Sequence, residues 1–149
     1  MKHVLTLVFI VFAATPGLTQ ESDAAPEGPV FVQADGVNLS DFSWLKRPLV
    51  IFADTPNDPR FVEQMGYISE RFGALEERDV VVIIDTDPEA RTAIRRDLRP
   101  RGFGLVLIGK DGVIHLRKPA PWHVREITRT IDKLPVRQQE LRDARPGRS

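Results

Sequence analysis

The chain has no cysteine among its 149 residues. That absence excludes disulfides, thiolate metal ligands and thiol redox chemistry together, so stability has to come from packing. Net charge is absent too: 21 Lys and Arg offset 21 Asp and Glu, which removes any case from net charge for nucleic-acid binding or attraction to an anionic membrane. No glycine-rich phosphate loop is present. Of the three histidines, His3 lies in the extreme N-terminal head, and nothing in the sequence joins His115 and His123 to each other, to a base or to a nucleophile. No catalytic residue, metal ligand or cofactor is assigned on this basis.

The first stretch reads as a processing signal. Met1-Lys2-His3 is a short basic head, Val4 to Ala14 is almost wholly apolar, and Thr15 to Gln20 is small and polar. The apolar part is too short to span a membrane comfortably. Residues 1–19 are therefore expected to be a signal peptide, cleaved near Thr19 or Gln20, with a periplasmic or secreted mature chain and no stable membrane span; an uncleaved anchor is the alternative. Residues 20–36, carrying Glu21, Asp23, Glu27 and Asp35 with Pro26 and Pro29, read as a flexible acidic leader in which Val30-Phe31-Val32 is an apolar island. The mature part is about one domain long.

Chain organisation centres on Arg47 to Asp58, an apolar run that stops in a polar, proline-punctuated loop. Pro48 to Ala53 fits a central strand buried on both faces, and Asp58-Pro59 fits a helix start, with a carboxylate cap and a proline at the first helical position. Phe61, Met65, Ile68, Phe72 and Leu75 then recur at helical spacing, with Gly66 and Gly73 as places for a kink or early stop. Val80 to Ile84 is a second buried strand, closing a right-handed βαβ unit. Asp87-Pro88 repeats the cap-and-proline signal before a second helix marked by Ala90, Ile94 and Leu98. The arginines on it, Arg91, Arg95, Arg96 and Arg99, with Arg101 just beyond, read as a solvated face or an anion site. Phe103 to Ile108 and Val113 to Leu116 flank Lys110-Asp111-Gly112, a strong hairpin signal. Before the first strand, Ser40 or Asp41 would cap a short helical turn burying Phe42 and Leu45, with Trp44 plugging one end of the core. Val124, Ile127, Ile131 and Leu134 mark a last amphipathic helix that Pro135 ends or kinks, and residues 143–149 form a disordered tail.

This order predicts an α/β fold with a thioredoxin-like core over residues 37–142: a four-stranded mixed sheet in the order 2-1-3-4, helices on both faces. The segments ADGVNLSDFSWLKRPLVIF and FGLVLIGKDGVI resemble the approach to the first core strand and the hairpin of peroxiredoxin-like proteins. RPLVIFA with a following DPR, RDVVVI, LIGKDG, and PW followed by IDKLPVRQQELR resemble the P-DUDES domain, a thioredoxin-like domain of secreted bacterial proteins and animal sushi-repeat-containing proteins. The resemblance implies a fold and an exported location, and supplies no established reaction. It departs from redox-active relatives where it matters: Asp54 to Asp58 stands where a thioredoxin has Cys-x-x-Cys, and Gly104 where its cis-proline would be. Without a thiolate there is no nucleophile for a peroxide or a disulfide.

Three classes of function follow. The first is a noncatalytic binding module of the cell envelope, with an unidentified protein partner, using a surface made of Asp54, Thr55, Asn57 and Asp58 with Phe103 and Gly104 alongside. The second is a carboxylate enzyme, with or without a divalent cation, built on Asp54, Asp58, Asp85 and Asp87. The third is a structural stabiliser or chaperone, which an exposed apolar patch would favour.

Overall fold

A computed structural model describes residues 31–147. The expected signal peptide, the first part of the leader and the last two residues lie outside them. Five strands form one mixed sheet: β1 (Phe31–Gln33), β2 (Arg47–Phe52), β3 (Val80–Asp85), β4 (Gly104–Ile108) and β5 (Ile114–Lys118), in the order β1-β3-β2-β4-β5. β1 and β2 both run parallel to β3, while β2 with β4 and β4 with β5 are antiparallel. The five α-helices among the described residues are α1 (Pro59–Glu70), α2 (Phe72–Glu76), α3 (Ala93–Leu98), α4 (Val124–Asp132) and α5 (Pro135–Asp143).

The expected four-stranded sheet is thus corrected to five strands. The extra strand comes from the segment read as a mobile leader: Phe31, Val32 and Gln33 lie against Val82, Ile83 and Ile84. Three residues give too little periodicity to announce a strand. What holds them is the open edge of β3 and the apolar island itself, since the Phe31 ring meets Phe72 edge-on with centroids 5.9 Å apart.

Every residue of β2 is buried, as its unbroken apolar run requires of a central strand. The pleat sends alternate side chains to opposite layers. Leu49 and Ile51, with Val82, Leu105 and Leu107, pack against Ile68 of α1, Leu75 of α2 and Val124, Ile127 and Ile131 of α4. Val50 and Phe52, with Ile83, Val106 and Ile108, pack against Ile94 and Leu98 of α3, and Leu39 and Phe42 close that layer from a 3-10 turn.

Local chemistry sets the element ends. Asp58 accepts the Arg60 N–H at 2.9 Å and Pro59 opens α1, as the cap-and-proline signal implies. The helix then breaks at Arg71, whose φ of −132° and ψ of 31° separate α1 from α2 two residues before Gly73. The single helix expected after Pro88 is instead a 3-10 turn, Pro88–Ala90, followed by α3. Arg91 between them has φ 46°, and Thr92 starts α3 afresh by accepting the Arg95 N–H at 3.0 Å. At the hairpin, Gly112 has φ 80° and donates its N–H to Gly109 O at 3.0 Å.

Trp44 and Leu45 are a second correction. They were expected inside, yet they are 66% and 67% exposed. The chain reverses there: the N–H groups of Leu45 and Lys46 both donate to Phe42 O, and Trp44 adopts a φ of 62° that turns its side chain outward. Of Phe42, Trp44 and Leu45, Phe42 alone packs on the core.

Candidate functional site

The corner at the carboxyl end of β2 is assembled from three elements. Phe52 pairs with Gly104 across the antiparallel β2–β4 ladder, and the Ala53 N–H donates to Asp85 O at 3.0 Å. The end of β2, the end of β3 and the start of β4 therefore meet, as open α/β sheets arrange their crevices. Asp54, Thr55 and Asn57 are exposed in the loop that leaves β2, and Asp58 is partly covered. The loop is shaped by its own polar groups: the Asn57 N–H donates to Thr55 Oγ1 at 3.3 Å and the Asp58 N–H to Thr55 O at 3.2 Å.

Asp58 is fully engaged. Besides the Arg60 N–H, its carboxylate accepts from Arg60 Nε at 3.2 Å and from the terminal guanidinium nitrogen at 2.9 Å. These hydrogen bonds hold its carboxyl below the ordinary carboxylate range and raise Arg60 in return. The guanidinium carbon stands 5.6 Å from the centroid of Phe103, so Arg60 spans from the start of α1 to the start of β4. Phe103 is only 2% exposed and belongs to the core, while a Cβ added at Gly104 would meet nothing closer than Phe52 at 4.0 Å. The structure thus brings all six expected residues to one corner, with Phe103 as its floor and the other five accessible in whole or part.

Beneath the loop lies a buried ion pair. Asp85 accepts from Thr92 Oγ1 at 2.6 Å and from Arg95 at 3.0 and 2.7 Å; Arg95 also donates to Ala53 O at 3.2 Å and sits over the Phe52 ring. It joins the ends of β2 and β3 to α3. Asp87 accepts the Glu89 N–H at 3.1 Å. The four carboxylates singled out from the sequence are therefore divided: Asp54 exposed, Asp58 and Asp87 capping, Asp85 paired with Arg95. Among the described residues no group of three or more His, Asp or Glu is placed to hold a metal ion.

Beside Phe103 and Gly104 opens a recess of about 230 Å³ whose rim carries Arg99, Arg101, Arg117 and Lys118. The sequence groups Arg99 and Arg101 with the other arginines of the α3 region as a solvated face or an anion site, and the fold adds Arg117 and Lys118 to them. The signal was in the hairpin register: Leu105 pairs with Lys118 and Val106 with Arg117, which returns the end of β5 to the start of β4.

Residues 38–140 match a protein family described as Domain of unknown function (DUF4174). The chain belongs to this family. No curated protein matches it. Among solved structures it is similar to the reduced 2-Cys peroxiredoxin of Plasmodium vivax, at 17% identity over 70% of this chain and 85% of that one, with a TM-score of 0.56. It is also similar to Plasmodium yoelii thioredoxin peroxidase I, at 18% identity over 76% of this chain and 84% of that one, with a TM-score of 0.52. These likenesses give the fold, which is thioredoxin-like.

The opposite end of the DUF4174 sheet is built on paired charge. Arg47, at the start of β2, is 0% exposed; its guanidinium donates to Arg78 O at 2.8 Å and to Glu140 Oε1 of α5 at 2.9 Å. Lys110 approaches the same oxygen at 2.7 Å, and Arg137 reaches Oε2 at 3.2 Å. Burial alone would raise the Glu140 carboxyl, but hydrogen bonds from Lys110, Arg47 and Arg137 outweigh it and lower the carboxyl to about 2. Nothing in the sequence announced this contact, which joins residues 93 apart. No helix among the described residues is long and apolar enough to cross a membrane.

Proposed function

We propose that this DUF4174 chain is an exported, noncatalytic binding module of the cell envelope, a P-DUDES-type domain whose thioredoxin-like corner serves as a recognition surface. One observation carries the reading. The corner is braced by the buried Asp85–Arg95 pair and by the Asp58 cap, yet it presents an exposed Asp54-Thr55-Pro56-Asn57 loop with no thiol in it. A rigid support under an accessible polar loop is what recognition needs, because little ordering entropy is then lost on binding. Gly104 alongside leaves room for a partner's backbone. The four carboxylates, each committed elsewhere or isolated, give the metal-dependent enzyme reading no cluster to work with.

The test is the double substitution T55A/N57A, which leaves the Asp58 cap in place. Partner capture from periplasmic extract is expected to fall while stability changes by less than about 0.5 kcal/mol. Unchanged capture would refute the loop as a recognition surface. A second reading, a stabiliser or chaperone, is favoured by Trp44 and Leu45, exposed side by side before the start of β2, at the other end of the strand from the corner. It predicts that the chain suppresses aggregation of an unfolded client and that W44S/L45S loses the effect.

A further inference from the structure

We propose that the recess rimmed by Arg99, Arg101, Arg117 and Lys118 is an anion site that takes the carboxylates of an acidic peptide segment. The proposal rests on the recognition-surface reading and names the chemistry of the partner.

Convergence of like charge is the first ground. Two cations come from the turn after α3 and two from the end of β5, and the antiparallel hairpin brings them to one opening beside Phe103 and Gly104. None of the four has a carboxylate within 4.0 Å among the described residues. The contrast with the opposite pole is direct, since there Arg47, Lys110 and Arg137 all converge on Glu140. In a chain of zero net charge, four cations around one concavity, without an ion-pair partner among the described residues, make a local field that favours an anion and steers it inward.

Pre-organisation is the second ground. Arg117 donates to Leu98 O at 2.9 Å, and the Lys118 ammonium rests 3.9 Å from the centroid of the Trp122 ring. Arg99 is fixed at the end of α3 with φ 48° and its N–H on Arg95 O. Three of the four side chains or their backbones are thus held before any ligand arrives, which reduces the ordering cost of binding. Arg101 alone is exposed without such a tether.

The spread of the charges selects the ligand. A single small oxyanion engages one or two guanidinium groups, whereas an extended acidic segment lying across the ends of β4 and β5 meets all four. β5 is the last strand of the sheet, and its outer side carries no strand among the described residues, so an extended chain has access. A nucleic acid would call for a longer basic track with exposed aromatic platforms between the charges, and the recess has neither.

The experiment uses the full chain with labelled hexaglutamate, read by fluorescence anisotropy at low and physiological salt. Hexaglutamine, inorganic phosphate and a thymidine oligonucleotide serve as competitors. Saturable binding of hexaglutamate is expected, weakening with salt, insensitive to hexaglutamine and displaced by phosphate only at far higher concentration. Removing two charges at the recess, R99Q/R101Q, should weaken binding at least about tenfold, while removing two exposed charges elsewhere, Arg125 in α4 and Lys133 just after it (R125Q/K133Q), should leave it nearly unchanged. Four results would overturn the proposal: no saturable binding, equal loss in both variants, displacement by phosphate as effective as by peptide, or a preference for the oligonucleotide. The two readings fail separately. If T55A/N57A captures partner normally while R99Q/R101Q loses hexaglutamate, the loop reading falls and the recess stands.

Discussion

At the scale of single residues, Glu140 joins a stability effect to a pH effect in one side chain. Gln at this position keeps the size of the side chain but leaves Arg47 buried with no counter-charge, and breaking a buried pair from one side is far costlier than losing a surface pair. E140Q is expected to lower unfolding stability by roughly 2–4 kcal/mol, measured by urea denaturation at neutral pH. The pH dependence follows from the same carboxyl. Its folded value of about 2 lies below the ordinary 4.5, so its contribution is complete above pH 4.5 and is lost as pH falls toward the folded value. Wild-type stability should therefore decline across that window, and E140Q should decline less steeply. Parallel curves would show that Glu140 does not couple folding to protonation. Asp85 makes a matching case at the other pole: D85N strands Arg95 between the ends of β2 and β3 and should cost about 3 kcal/mol or more, whereas D87N, at an exposed cap, should cost about 1 kcal/mol at most.

At the scale of elements, the legible parts of the sequence were those whose physics is local. The run at Arg47 to Phe52, the Asp58-Pro59 start and the Lys110-Asp111-Gly112 turn each contain their own signal, and each forms near where the pattern puts it. The corner was legible for the same reason, because two strand ends and a hairpin register suffice to bring Asp54 near Gly104. What was missed depends on distant partners. β1 exists because β3 offers an edge, Trp44 is outside because the chain reverses on Phe42 O, and the basic recess appears only when β5 returns beside β4. The β1 correction can be tested directly. Phe31 is half-buried against Phe72, so F31A should destabilise the fold by about 1–3 kcal/mol, less than the full cost of emptying a core phenylalanine site. A change within about 0.5 kcal/mol would mean that β1 adds nothing to stability and that the leader reading holds for these residues after all.

At the scale of the whole molecule, a thioredoxin-like frame is retained while the atom that gives thioredoxins and peroxiredoxins their chemistry is absent everywhere in the chain. The corner that would hold a nucleophile has its backbone donors and its nearest cation committed: Asp58 occupies the first free N–H of α1, and the Arg60 guanidinium is spent on the same carboxylate. A thiolate introduced there would have to compete with that carboxylate for both, and Asp58 would be a weak base for an oxygen nucleophile, because Arg60 holds it ionised to lower pH than an ordinary carboxylate. The purified chain is therefore expected to show no insulin reduction and no peroxide consumption above buffer, with dithiothreitol as reductant. The informative control is T55A/N57A, which alters the loop but none of these groups. Turnover that survives metal removal and repurification, and that drops in this variant, would place a redox or hydrolytic centre in the loop and overturn the noncatalytic reading.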